Sequence, residues 1–429
     1  MTGTIPVPTW EKTGMTADNS IAVVGAGPAG MIAAIVIAKA GGSVTIYEKN
    51  RITGKKLRIT GKGRCNVTNN CAPAEFLRHV TKNEKFLYGA INRFTPEDTM
   101  EFFEGLGIPL KTERGRRVFP ESDRADDIAD ALEQEMRSLG VNLVSGNVDS
   151  VGTDSAGQIS GINVNGHFHP HKAVIIATGG VSYPRTGSTG DGYRIADDFG
   201  LDVNSPRASL VPIVTVEDTS PMMGLTLKNV VLTVNDKTGN KVFSEQGELL
   251  FTHFGISGPL ALSASAHMRS DPGEYNMEID MKCALDDATL DRRIISDLSK
   301  NPAKAIINSL GALLPSSIIG EVVKRSGIDT HKQCSQITRA ERAALAGVIK
   351  HFSLTPSAFR PVSEAIVTSG GVSTAELSPR TMMAKKVPGL FFAGEVIDVD
   401  AYTGGYNLQI AFSTGYIAGE GAFEFVSLY

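Results

Sequence analysis

What most limits the folds open to this chain is residues 20 to 49. An apolar strand runs into Gly25-Ala26-Gly27-Pro28-Ala29-Gly30, then a helix rich in Ala and Ile, then a second strand closing at Glu48. The three glycines stand where a dinucleotide turn needs them. Gly25 permits the tight turn, Gly27 lets backbone approach a pyrophosphate, and Gly30 packs helix on strand. The helix then presents free N–H groups and the positive end of its dipole to the diphosphate. Glu48, closing Val44-Thr45-Ile46-Tyr47, is placed to take up ribose hydroxyls. A 2′-phosphate would be repelled there, which argues against NADP in this site. Taken alone, the unit suits NAD or FAD.

At 429 residues the chain exceeds what one core accommodates, so two or three domains are expected. Its 41% hydrophobic and 21% charged residues describe a globular protein, and a net charge of -4 offers no global attraction for nucleic acid. Cys65, Cys71, Cys283 and Cys334 form no C-x-x-C pair and no metal-like spacing with histidine. A dithiol relay is thereby excluded, no metal site is expected, and the sparse thiols suit a cytoplasmic location. Residues 21 to 38 carry no charge, but their glycines and proline belong to the nucleotide turn rather than to a membrane span. The polar, proline-containing residues 1 to 18 read as a flexible N-terminal arm.

After the second strand comes a cationic, glycine-rich loop, Gly54-Lys55-Lys56-Leu57-Arg58-Ile59-Thr60-Gly61-Lys62-Gly63-Arg64-Cys65-Asn66-Val67-Thr68-Asn69, expected to wrap the pyrophosphate. Ile128, Leu132, Met136 and Leu139 mark one helix face between Asp123 and Gly140. Strands follow near 141 to 151, 158 to 165 and 167 to 177. The last, Ala173-Val174-Ile175-Ile176-Ala177, is continuously apolar and ends in Thr178-Gly179-Gly180, as a buried parallel strand does at its ligand end. Residues 206 to 285 alternate with period two and predict an antiparallel sheet or small barrel. Residues 286 to 351 predict about four helical segments, carrying Ile294 and Leu298, Ile306 and Leu310, Ile318 and Val322, and Leu345 and Ile349.

The C-terminal block decides between the cofactors. Phe391-Phe392-Ala393-Gly394-Glu395 is a second strand-to-turn unit, and Gly404-Gly405-Tyr406-Asn407 opens a final helix. FAD enzymes need such a second turn. A carboxylate at Glu395 would approach the ribityl chain, and the helix N-terminus would stabilise charge on the flavin ring. The fold class is therefore α/β: a discontinuous Rossmann-like FAD-binding domain of the two-dinucleotide-binding-fold type over 19–205 and 352–429. An inserted β-barrel-like domain spans 206–285 and a small helical domain 286–351.

The blocks GAGPAG, GKKLRITGKGRCNVTNN, RRVFPESDRADD, ATGGVSYPRTGSTGDGY, LLFTHFGISGP, EAIVTSGGV and GLFFAGEVIDVDAYTGGYNLQIAFSTGYIAG resemble the BaiN/YhiN-type FAD-dependent oxidoreductases, also called the aminoacetone-oxidase family. The resemblance runs from about residue 20 to the C-terminus. Ala401 departs from it, standing where relatives usually carry glycine. The resemblance implies FAD contacts at Gly25, Gly27, Gly30, Glu48, Lys49, Lys56, Cys65, Val148, Thr178, Gly179, Gly394, Glu395 and the turn from Gly404 to Asn407. Ala26, Pro28, Ala29, Arg64, Asn66 and Ala177 border these positions and are counted with them. It also implies one of three activities: reduction of conjugated C=C bonds in steroid-like acids, oxidation of aminoacetone, or reduction of uridine in large-subunit ribosomal RNA.

Two residues are candidates for catalysis. Cys65, with its pKa depressed by adjacent cations, would protonate a carbon acceptor, or else it packs as a small buried residue on the ring. His253, flanked by Phe251 and Phe254, would donate a proton or hold a carbonyl, or else it is structural. Arg185, near Tyr183, would hold an anionic group, and Asp191 should cap the following helix. Arg114, Arg116 and Arg117, with Lys55, Lys56, Arg58 and Lys62, could track phosphates. The expected function is FAD-dependent, NAD(P)H-driven reduction of an activated C=C bond. With no second G-x-G-x-x-G unit, NAD(P)H would visit only transiently. The alternatives are dihydrouridine synthesis in ribosomal RNA, an oxygen-dependent amine oxidase, and a non-enzymatic FAD-binding module.

Overall fold

The computed structural model describes residues 20–428, and the arm expected over 1–18 lies outside them. The described residues form two units, one of residues up to Ser209 together with those from Val362 onward, the other Leu210–Pro361.

In the first unit Ile21–Val24 is apolar and buried throughout, so it can only be a central strand. It lies in the middle of a parallel sheet ordered Leu390–Phe392, Ala173–Ile176, Ile21–Val24, Val44–Glu48, Asn142–Ser145. Ile21 faces Ala173 on one side and Val44 on the other. The outermost strand comes from the far end of the chain, so the sheet is complete only when the C-terminus folds back.

Helix packing repeats this closure. The first helix, Pro28–Lys39, is buried from Ala29 to Ile37, and the last, Tyr406–Leu428, lies directly on it. A side chain at Gly415 would meet the Ala29 carbonyl oxygen at 2.3 Å, so the two backbones touch there. The amphipathic helix expected after Asp123 is Ala125–Ser138, with Ile128, Leu132 and Met136 buried. Val148–Thr153, Ile159–Val164 and His167–Pro170 form a separate three-stranded sheet. Val203–Ser209 pairs antiparallel with Val367–Val372, which places it in this unit.

The second unit holds a seven-stranded antiparallel sheet, ordered Phe352–Leu354, Tyr275–Asp280, Thr226–Asp236, Lys241–Phe251, Gly255–Ser257, Ile213–Thr215, Pro356–Phe359. Its two edge strands are separated in sequence by Thr355 alone. The sheet must therefore curl until its edges come together, which gives the barrel-like form. Helices Asp287–Ser299, Ser316–Arg325 and Arg339–Lys350 share one apolar core with it. The segment carrying Ile306 and Leu310 is not an α-helix but a short 3-10 turn, Ile306–Asn308, because Pro302, Gly311 and Pro315 leave too few residues between breakers. Among the described residues no helix is long and apolar enough to cross a membrane, and no cluster of three or more His, Cys, Asp or Glu could hold a metal.

Candidate functional site

Parallel pairing aligns the C-terminal ends of four strands along one sheet edge, where the chain continues into Gly25, past Glu48, into Ala177-Thr178 and into Ala393-Gly394-Glu395. Gly25 has φ +102, and a Cβ there would meet the Ala177 carbonyl oxygen at 2.6 Å. A Cβ at Gly30 would lie 2.0 Å from the Gly25 carbonyl oxygen. The protein itself requires these two glycines.

Gly27 is different. Its φ of -82 and ψ of -179 suit any residue, and a Cβ would find its nearest neighbour 4.0 Å away. Nothing in the chain demands glycine there, so the demand comes from what docks against the helix N-terminus. That terminus has Pro28 in its first turn and no side-chain cap, which leaves its N–H groups open to a diphosphate. Glu48 is held ready beside it: Oε2 accepts the Ala26 N–H at 2.8 Å, and Oε1 accepts the Asn50 backbone and side-chain N–H groups, both at 2.7 Å. Free lone pairs remain for ribose hydroxyls. Ala29 lies under Gly394, whose Cβ would come within 2.9 Å of the alanine methyl.

The cationic loop does not present its charges to one place. Lys56 Nζ donates to Glu395 Oε2 at 2.7 Å and to Ser182 Oγ at 2.6 Å. Glu395 Oε1 also accepts from Ser182 Oγ and from the Thr368 N–H. Burial alone would raise the Glu395 pKa, but Lys56 and these hydrogen bonds outweigh it and the carboxyl is lowered. Ser182 and Thr368 escaped the sequence reading, although both lie in the motif blocks VSYP and EAIVTSGG. Lys49 reaches Thr189 Oγ1 and Asp191 Oδ2. Asp191 does not cap the following helix: Gly190, at φ +84, occupies the cap, and the Asp191 carboxylate serves Lys49 instead.

Cys65 is completely buried, at φ +58. Burial pushes its thiol up to about 12, and the depression expected from neighbouring cations is absent. Arg64 explains why: it stacks on Phe119 at 4.2 Å and pairs with Glu113 and Asp123, both at 2.5 Å, so its charge is spent. Asn66 Oδ1 and Thr178 Oγ1 are buried without a partner, acceptors of the kind a bound ligand satisfies. Val148 is buried at the start of its strand, and Gly179 takes φ +75.

The C-terminal turn seats on the end of the cationic loop. A Cβ at Gly405 would meet the Thr68 carbonyl at 2.3 Å, and Asn69 Nδ2 donates to the Gly404 oxygen at 3.0 Å. The Tyr406 ring stacks on His79 at 4.6 Å, and Asn407 grips the Ala401 N–H and carbonyl. Both side chains therefore shape the turn. Ala401 is accommodated as a buried strand residue opposite Val80. His253 belongs to the second unit, exposed on the turn after Phe251 and edge-on to Phe254 at 5.0 Å. Tyr183, just before the 3-10 turn Pro184–Thr186, and Arg185 within it are exposed, with Lys56 Nζ 5.9 Å above the Tyr183 ring.

The family model for the HI0933-like protein Rossmann domain matches residues 19–421. The chain belongs to the HI0933-like family. Among its relatives is a ribosomal RNA dihydrouridine synthase of Escherichia coli (strain K12), 33% identical over 92% of this chain and 95% of that protein. Another is a 3-dehydro-bile acid delta(4,6)-reductase of Clostridium scindens, 31% identical over 95% of this chain and 99% of that one. The fold is shared with 3-ketosteroid-delta4-(5alpha)-dehydrogenase from Rhodococcus jostii RHA1, at a TM-score of 0.51 and 16% identity, over 95% of this chain and 98% of that one. This HI0933-like chain is an FAD-dependent oxidoreductase with a Rossmann-like FAD-binding fold. The open helix end, Glu48 and the orphaned acceptors fit the dinucleotide.

Proposed function

We propose that this chain, acting in the cytoplasm, catalyses the NAD(P)H-driven reduction of a C=C bond conjugated with a carbonyl group. One observation carries the reading. Relatives of nearly equal identity, each aligned over more than nine-tenths of both chains, are named for two reductions of this type on unlike substrates. Making dihydrouridine saturates the ring bond next to a carbonyl, and removing the delta(4,6) unsaturation of a 3-dehydro-bile acid does the same in a steroid. What they share is the acceptor chemistry.

FAD, when bound, accepts a hydride from one partner and yields it to another. The chain supplies the rest. Gly27 and the helix start behind it would hold the diphosphate, and Glu48 the ribose. Lys49, Lys56, Val148, Thr178, Gly179, Gly394 and Glu395 would make up the remainder of the FAD site. The N-terminus of Tyr406–Leu428 would supply its positive dipole end to the flavin. The carbon left behind the hydride needs a proton, for which Cys65 and His253 are the candidates. Cys65 is a neutral thiol at physiological pH, so it carries the proton the step needs, but burial opposes the thiolate that donation would leave.

Anaerobic mixing tests the proposal. NADH or NADPH should bleach the flavin absorbance, and a conjugated enone or uridine-containing RNA should restore it. Bleaching by a small amine and not by NAD(P)H would support the oxidase instead, and flavin that every donor leaves oxidised would support a binding module.

A further inference from the structure

We propose that Lys82, Asp398 and Tyr193 form a proton path from solvent to the FAD site, closed by one ordered water between Asp398 Oδ1 and Tyr193 Oη; this rests on the C=C-reductase reading and supplies a step of it. Such a reduction adds two hydrogens to the double bond. A hydride drawn from NAD(P)H forms one C–H bond, the π electrons shift toward the carbonyl, and a proton from water forms the other C–H bond, leaving NAD(P)⁺. Whichever group hands that proton to carbon must be recharged on every turnover. An acceptor seated against the flavin displaces water there, so the recharging proton needs a route through the protein.

The outer end of the path meets water and the rest is dry. The Lys82 side chain is 32% exposed, and its Nζ donates at 2.5 Å to Oδ2 of Asp398, whose side chain is 1% exposed. Asn204 Nδ2 also donates to that oxygen at 2.7 Å, with Asn83 Nδ2 at 3.5 Å, and the Asp398 N–H donates to the Val372 oxygen at 2.9 Å. Oδ1 of the same carboxylate is buried without a partner among the described residues, and so is the Tyr193 hydroxyl. Both groups cost stability if left bare in the interior. A water that accepts from the phenol and donates to the carboxylate satisfies the two at once.

Gly371 brings the two orphaned groups to one place. It has φ +124, and a Cβ there would lie 3.1 Å from Tyr193 Cε1, beside the carbon that bears the hydroxyl, and 2.5 Å from the carbonyl oxygen of Val396, two residues before Asp398. Gly371 also pairs with Asn204, whose amide holds Asp398. Burial raises the Tyr193 pKa, and the carboxylates of Glu395 and Asp398 raise it further. The phenol therefore stays neutral and passes a proton by accepting one as it donates another. Its inner neighbours belong to the FAD site: Glu395 is one, and a Cβ at Gly192, next to Tyr193 in sequence, would meet Thr178 Oγ1 at 2.4 Å. Asp400, opposite Lys82 in the strand pairing, accepts from Ser209 Oγ at 2.7 Å, and burial pushes its carboxyl up. It holds its proton more firmly than an ordinary aspartate and leaves Lys82 to Asp398.

Two measurements on the full-length protein test the path. The first needs no flavin: apoprotein melting temperatures of Tyr193→Phe, Asp398→Asn and the double variant. Each single variant should melt below wild type, and the double variant should lose much less than both losses combined, because either change alone already breaks the water link. Additive losses overturn the path, and so does a Tyr193→Phe protein that melts above wild type, as removal of a bare hydroxyl would make it do. The second measurement is anaerobic, on the FAD-loaded protein. Bleaching of the flavin by NAD(P)H takes up no proton and should run at the wild-type rate in both single variants. Reoxidation by a conjugated enone or a uridine-containing RNA, whichever serves wild type, takes up one proton and should slow on the order of tenfold or more. Tyr193→Phe alone serves for this arm if Asp398→Asn does not fold. Equal slowing of both half-reactions, or of neither, overturns the path. Wild-type flavin that NAD(P)H leaves oxidised contradicts the reductase instead, and the melting cycle then still decides the link.

Discussion

A methyl group at Gly30 would press on the Gly25 carbonyl oxygen, backbone that cannot move without undoing the turn. Gly30→Ala should therefore cost about 1–3 kcal/mol in a denaturant titration and yield protein without flavin. Lys56→Met should cost about 1–3 kcal/mol by leaving Glu395 with only Ser182 and Thr368. Because the folded pKa of Glu395 is lowered, the stability it brings is present above the unfolded carboxylate value and lost as pH falls through the folded one. The variant should lose that acid-side slope. For Cys65, complete burial favours packing: Cys65→Ala should keep turnover within a few fold, and a loss of about 10²-fold or more would establish it as the proton donor. At this scale the sequence displays what backbone sterics impose, such as the glycine spacing. It hides which charges meet, because Lys56 and Glu395 are joined only by the fold, and Arg64 looks like a free cation until folding brings it Glu113 and Asp123.

Single elements are pinned by contacts their patterns do not announce. His171 accepts or donates to Ser20 Oγ through Nδ1 and to Tyr47 Oη through Nε2, each at 2.9 Å, fastening the starts of two sheet strands to the end of a third. Burial lowers its pKa to about 4, with His169 adding to the effect. The imidazole binds a proton less readily folded than unfolded, so stability should be full above about pH 6.5 and fall by about 3 kcal/mol as pH drops towards 4. Denaturant midpoints across that range should show the slope, and His171→Gln should flatten it. Long, strongly patterned elements were legible, including the first strand and the helix Ala125–Ser138. Phe352–Leu354 and Pro356–Phe359 were not, because three or four residues carry too little alternation, and only pairing with Tyr275–Asp280 and Ile213–Thr215 makes them strands.

For the whole molecule, the decisive property is that the FAD-binding unit is assembled from both ends of the chain. Residues 210–361 interrupt it where Val203–Ser209 already lies against Val367–Val372, with Ser209 opposite Val367. Deleting 210–361 and joining Ser209 to Val362 through a short Gly/Ser linker should leave a protein that unfolds cooperatively and still takes up FAD. A deletion protein that folds but rejects FAD would show that the second unit contributes to holding it. The central claim, that the two ends build one cradle for FAD, is tested most directly at Gly27, the glycine the protein does not need for itself. In an equilibrium titration with FAD, Gly27→Ala should weaken binding on the order of tenfold or more, about 1.4 kcal/mol, while the apoprotein melts at the wild-type temperature. Unchanged FAD affinity in that variant would contradict the account.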